Sequence, residues 1–122
     1  MLILAIDTAL DACAAGVLDT ESTTMLAQQS LAMKRGHAEA LLPLVHRVMD
    51  QVEGGFGLID RVAVTVGPGS FTGIRVALSA ARAFGLALEV PVVGVSTLAA
   101  FAAPLVMDPR PGTILSAIDA RH

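Results

Sequence analysis

Val62-Ala63-Val64-Thr65-Val66 runs directly into Gly67-Pro68-Gly69-Ser70-Phe71-Thr72-Gly73, and Ile74-Arg75 follows. The first five residues are apolar or β-branched and form the strongest strand signal in the chain. The next seven hold three glycines and a proline, which predicts a tight loop. From Ile74 the period becomes helical. Ile74, Ala77, Leu78, Ala81, Gly85 and Leu88 share one face, while Val76, Ala80, Ala83 and Ala87 form a second face lined with small residues. Pro91 to Val95 reads as another strand. Strand, helix and strand in this order predict a parallel pair with a right-handed crossover.

Upstream, Leu2 to Asp7, Ala12 to Leu18 and Thr23 to Ser30 read as three strands joined by short turns, hence a meander. Lys34-Arg35-Gly36 breaks that pattern. From His37 a helix is predicted, with Ala38, Leu41, Leu42, Val45, Val48, Met49 and Val52 on its core stripe. Pro43 lies inside it and predicts a kink or a late start. Gly54-Gly55 ends it. Downstream, Ser96 is positioned to cap a helix through Ala103, Asp108 to Gly112 reads as a linker, and Thr113 to Asp119 as a final strand. The order βββαβαβα predicts an α/β fold with a mixed sheet covered by helices, the ribonuclease-H-like arrangement. Ile3 to Ala9 echoes Ile114 to Ala120, so the expected organisation is a first lobe over residues 1–107, a linker over 108–112, and the first strand of a second lobe over 113–122.

Composition narrows the function. The 122 residues suit one domain. Apolar residues make up 54% and charged ones 16%, against roughly 45–50% and 25% in average domains. The excess points to an apolar face awaiting a partner. Four Phe with no Trp or Tyr argue against base-stacking recognition of single-stranded nucleic acid. A formal net charge of −3 leaves no basic footprint for gripping a phosphate backbone alone. Cys13 is the only cysteine, which excludes an intrachain disulfide and a cysteine-based zinc site and fits a reducing cytoplasm. The N-terminus lacks the basic region of a signal peptide, and the uncharged stretch from Val90 to Met107 is punctuated by Pro91, Gly94 and Pro104. No membrane association is expected.

Two regions could carry function. The loop from Gly67 to Gly73 could aim backbone N–H groups at a phosphate, with Gly67, Gly69, Ser70, Thr72 and Gly73 as the lining residues. It has neither the Lys-Ser/Thr of a Walker loop nor the spacing of a dinucleotide fingerprint. The alternative is a turn that needs glycine, with Ser70 or Thr72 capping the next helix. Asp7, closing the first strand, could share that rim and hold a metal-bound water, or could make a local Asx-turn. The second region is the pair of helices. Ala80, Ala83 and Ala87 give one a flat side, and Ala40, Leu44 and Arg47 line the less buried side of the other, so together they could form half of a helix–helix interface. His37 reads as a solvent-facing residue at a helix start, and Cys13 as a buried small hydrophobe.

Leu4 to Ala9, His37 to Pro43, Val66 to Arg75, Gly94 to Leu98 and Ala117 to Arg121 together resemble the TsaB family, the dimerisation subunits of bacterial tRNA threonylcarbamoyladenosine biosynthesis. That resemblance implies a two-lobed protein of the actin-like ATPase and sugar-kinase superfamily. It implies a non-catalytic subunit paired with a TsaD-like catalytic subunit and a TsaE-like ATPase, acting on an adenosine beside the tRNA anticodon. ATP and a metal are then expected in partner subunits and none in this chain, and tRNA contact only through the complex. The catalytic relative carries paired metal-binding histidines on its first long helix, whereas this chain has His37 alone near that place. The family's pairing surface maps onto His37–Val52 and Thr72–Leu88, which selects Ala40, Leu44, Arg47, Val76, Ala80, Ala83 and Ala87. A homodimer through the same helices is a further expectation. The competing reading is a nucleotide-binding ATPase-like enzyme or switch of the same superfamily, with Asp7, Ser70, Thr72 and Gly73 around the phosphates.

Overall fold

A computed structural model describes residues 1–97. The expected helix beyond Ser96, the linker at 108–112 and the strand from Thr113 lie outside the described residues. Within them the elements are β1 (Leu2–Asp7), β2 (Ala12–Asp19), β3 (Thr24–Ala32), α1 (His37–Met49), β4 (Ile59–Thr65), α2 (Phe71–Leu88) and β5 (Val92–Val95), with a 3-10 turn at Gly55–Leu58. The sheet order is β3-β2-β1-β4-β5. β1 and β2 pair antiparallel, as do β2 and β3. β4 pairs parallel to β1, and β5 parallel to β4. This is the mixed sheet expected from the sequence, and β1 is its central strand.

Alternation decides which face of the sheet receives the helices. Leu4 and Ile6 of β1, Cys13, Ala15 and Val17 of β2, and Val62 and Val64 of β4 are buried together against Leu41, Leu44, Val45 and Val48 of α1 and Ala77 and Ala81 of α2. Fully burying one such aliphatic side chain contributes about 1.5–3 kcal/mol. The opposite face carries Ala5, Asp7, Ala14, Gly16, Gln28, Ser30, Ala63, Thr65 and Val95, which line an open hollow of about 540 Å³.

α2 packs unusually tightly on the sheet. Its buried residues are Gly73, Ala77, Ala81 and Gly85, one small residue per turn. A Cβ at Gly85 would lie 3.2 Å from the carbonyl oxygen of Val90, and would also crowd the Val92 side chain. Glycine and alanine at this spacing let the helix backbone approach β4 and β5 where larger side chains would hold it off. Phe71–Leu88 is long and apolar enough by composition to cross a membrane. Of that stretch 22% is buried, and its buried small-residue stripe packs on the sheet.

Four expectations change. Leu44, assigned above to the partner surface, is fully buried. The core stripe of α1 runs through Leu41, Leu44, Val45, Val48, Met49 and Val52, so Ala38 and Leu42 face outward instead. The stripe was misassigned because apolar residues nearly encircle α1, and periodicity alone does not choose between adjacent faces. α2 begins at Phe71 rather than Ile74, because Ser70 caps it. His37 is half-buried and not solvent-facing: its Nε2 lies 2.9 Å from the carbonyl oxygen of Leu10, tying the start of α1 to the β1–β2 loop. Pro43 is accommodated inside α1, and both it and Glu39, whose carbonyl loses its helical partner, are exposed.

Leu44→Ala is expected to cost about 3 kcal/mol in denaturant unfolding, and Leu42→Ala no more than about 0.5 kcal/mol; the reverse ranking would invert the placement of α1. Cys13 is fully buried, and burial pushes its thiol up, with Asp7 adding to the shift and Arg47 opposing it. A raised folded value means the native state keeps its proton where the unfolded chain has lost it. The associated stability is therefore complete below the unfolded value of about 8.5 and is lost as pH rises through the folded one. The alkaline decline in stability should be shallower in Cys13→Ala, and Cys13 should react with a thiol reagent only on unfolding.

Candidate functional site

β1 and β4 run parallel side by side, so their carboxyl ends, Asp7 and Thr65, meet on one rim of the sheet. Asp7 Oδ1 accepts hydrogen bonds from the Ala9 N–H at 2.9 Å and from Thr65 Oγ1 at 2.7 Å. The first is an Asx-turn, and the second ties β1 to β4. The glycine loop is held against the same place. The Ser70 N–H donates to the Ala9 carbonyl at 2.7 Å, and Thr8 Oγ1, fully buried, donates to the Gly73 carbonyl. Ser70 Oγ accepts from the Gly73 N–H at 3.2 Å, capping α2. The Thr97 N–H donates to the Gly67 carbonyl at 2.9 Å.

Glycine is required here for two reasons. Gly67 has a φ of 124°, a left-handed conformation that side chains disfavour. At Gly69 and Gly73 the constraint is proximity: a Cβ on Gly69 would lie 2.6 Å from the Ala9 carbonyl oxygen, and one on Gly73 would collide with the Thr8 carbonyl. The structure therefore brings Asp7, Gly67, Gly69, Ser70 and Gly73 together at one rim, where Asp7 bonds to Ala9 and Thr65, Ser70 to Ala9 and Gly73, Gly73 to Thr8, and Gly67 to Thr97. Thr72 is exposed in the first turn of α2, and the N-cap is Ser70. Thr8, Ala9 and Thr65 were missed by sequence reasoning, although the polar pair Asp7-Thr8 closing an apolar strand was the available signal. No group of three or more His, Cys, Asp or Glu side chains that could hold a metal occurs among the described residues.

The helices present the second candidate. Between α1 and α2, on the side away from the sheet, runs an open groove of about 560 Å³, lined mainly by Ala38, Leu42, Phe71, Arg75, Val76, Ala80 and Ala83. Leu42 is 50% exposed and Phe71 75% exposed, and the Arg75 guanidinium sits 5.2 Å from the centre of the Phe71 ring. Of the residues chosen from sequence, Val76, Ala80 and Ala83 line this groove. Ala87 is exposed further along α2, and Ala40 is half-buried against the core. Arg47 points elsewhere: its Nε donates to Gln29 Oε1 at 3.3 Å, over β3. Leu44 lies beneath, in the core. Leu42 was missed because a large apolar residue on a helix reads as core unless the neighbouring face is known to be occupied, and Phe71 because it read as part of the glycine loop.

The family model described as TsaD, tRNA N6-adenosine threonylcarbamoyltransferase, matches residues 24–122. The chain is 36% identical over 121 residues to the tRNA threonylcarbamoyladenosine biosynthesis protein TsaB of Escherichia coli, covering 99% of this chain and 51% of that protein. It is 30% identical over 120 residues to the TsaB of Buchnera aphidicola from Acyrthosiphon pisum, covering 98% and 53%. The solved structure of YeaZ from Pseudomonas aeruginosa superposes with a TM-score of 0.77 at 34% identity, covering 84% of this chain and 47% of that one. RuvC of Thermus thermophilus is similar in fold alone, with a TM-score of 0.56 at 18% identity over 84% of this chain and 68% of that one. The chain spans about half the length of the curated relatives it matches.

The rim makes a prediction independent of any ligand. Gly73→Ala must push β1 and α2 apart and is expected to cost about 3 kcal/mol in chemical denaturation. Thr72→Ala, at an exposed neighbouring position, should change stability by no more than about 0.5 kcal/mol. Equal effects would mean that close approach at Gly73 does not hold the loop.

Proposed function

We propose that this chain, which belongs to the TsaB family, is a non-catalytic binding subunit of tRNA threonylcarbamoyladenosine biosynthesis, and that its α1–α2 groove seats a TsaD-like catalytic subunit. The observation that carries this reading is the groove itself. Leu42 and Phe71 stand exposed beside Val76, Ala80 and Ala83, on the side of the helices that the sheet does not use. Small residues on that side let a partner helix approach to the roughly 8–10 Å axial separation of packed helices. The exposed large residues then supply apolar area for it to cover. In this reading ATP and the metal belong to partner subunits, a TsaE-like ATPase among them. With a formal net charge of −3, the chain leaves most of the tRNA to others.

A nucleotide-binding reading draws on the gathering of Asp7, Ser70 and Gly73 at one rim. It is weaker, because the Ser70 and Gly73 N–H groups and an Asp7 oxygen are already engaged within the clasp. Titration calorimetry with Mg-ATP on a complete two-lobed relative distinguishes the two: heat of binding abolished by Asp7→Ala would favour the nucleotide reading.

The direct test is size-exclusion chromatography with light scattering on the chain mixed with a TsaD-like subunit of the same organism. A co-eluting complex is expected. Ala83→Arg and Leu42→Asp should each weaken it by at least about a hundredfold, equivalent to about 2.7 kcal/mol, with circular dichroism unchanged. Undiminished pairing by both variants would remove the groove from the interface.

A further inference from the structure

We infer that the free edge of β3 is a second interaction surface, which pairs antiparallel with β3 of another copy of this chain to give one continuous ten-stranded sheet. It is separate from the α1–α2 groove and does not rest on the function proposed above.

Among the described residues β3 stands at the end of the sheet and pairs with β2 alone. It runs nine residues, Thr24–Ala32, with neither a charge nor a proline. Met25 and Leu26 are 44% and 41% exposed. Edge strands are ordinarily blunted by lysine, proline, brevity or a bulge, because their unpaired N–H and C=O groups template another strand. The one interruption here is a bulge: Val17 pairs with Ala27 and Leu18 with Met25, leaving Leu26 over, while Ala27 to Ala32 is regular. The other edge strand, β5, is only four residues long and follows directly on Pro91.

The sequence around β3 indicates what it pairs with. Asp19 at the end of β2 and Glu21 in the turn lie before it, and the bend after it carries Lys34 and Arg35. The Glu21 side chain is 87% exposed, and the N-terminal ammonium lies 3.9 Å from it. An antiparallel partner of identical sequence sets the acidic turn of each copy beside the basic bend of the other, twice over. A parallel partner would set like charges together. Side-chain alternation restricts the register further. Gln28 and Ser30 line the open face of the sheet, and Gln29 meets Arg47 on the helix face. Paired residues must lie on the same face, so over the regular stretch from Ala27 to Ala32 an antiparallel self-pair centred on Gln28 or Gln29 satisfies the pleat, and slipping one copy by a single residue does not. Such a dimer keeps both α1–α2 grooves open.

Light scattering and cross-linking of the 122-residue chain across a concentration series test this pairing. The expected result is a reversible dimer that Gln28→Lys weakens by about tenfold or more through like charges at the centre of the edge. Glu21→Lys should weaken it too, and adding Lys34→Glu and Arg35→Glu to that variant should restore it. Gln28→Cys in the first register, or Gln29→Cys in the second, should form an intermolecular disulfide under mild oxidation, since residues opposed across paired strands sit at disulfide distance. Ala83→Arg should leave the dimer intact. A chain that stays monomeric throughout, or a dimer that Ala83→Arg dissolves and Gln28→Lys does not, overturns the proposal.

Discussion

The close approach of α2 to the sheet is the constraint on which the rest depends. Gly73, Ala77, Ala81 and Gly85 place almost no side-chain volume between the helix and the strands beneath it. Gly73 rests directly against the Thr8 backbone at the end of β1, and Thr8 returns a hydrogen bond to Gly73. That contact fixes the height of the helix above the sheet and the path of the glycine loop. It also sets where the outer face of α2 meets α1. A bulkier residue at any of these positions would tilt the helix, change the width of the groove beside Leu42 and Phe71, and loosen the rim in one movement.

The rim and the groove are thus two faces of one packing solution. At the rim, Asp7, Thr8, Thr65 and Ser70 close around each other and leave β1, β4 and α2 joined. In the groove, the same helix turns an alanine-lined side outward. The strand–glycine loop–helix layout is shared with proteins that hold phosphates at this position, and here its polar groups serve to hold backbone to backbone. The likenesses to YeaZ and RuvC, with the β3-β2-β1-β4-β5 order, make this an α/β lobe of ribonuclease-H-like type.

Much of this fold was legible before any coordinates. The β-branched run at Val62–Val66, the glycine loop and the small-residue helix gave the parallel part of the sheet. Two charged or glycine-bearing breaks, at Asp19–Ser22 and Lys34–Gly36, bounded β3. What sequence could not resolve was the rotation of α1. Ala38, Leu41, Leu42, Leu44, Val45 and Val48 offer two overlapping apolar stripes, and only the position of the sheet shows that Leu44 goes in and Leu42 stays out. The candidate site suffered from the same ambiguity. Alanines at Ala80 and Ala83 could be placed on an outer face by spacing, but Phe71 belonged to the loop until the Ser70 cap showed that the helix began there. His37 was misread because its partner, the Leu10 carbonyl, comes from a turn distant in sequence.

The register of the central strand has a consequence for how the chain is born. β1 finds its antiparallel partner within the first nineteen residues, but its parallel partner starts with Leu2 opposite Ile59. A ribosome adding about 5–20 residues per second takes roughly 2–7 s to go from the end of β3 to the end of β4. Throughout that interval the emerging meander shows the nascent environment the open flank of β1, the strand that later becomes the centre of the sheet. The time during which it is vulnerable is set by translation speed over α1, so codon usage in that stretch, and not only the amino acids it encodes, bears on how safely the sheet is completed.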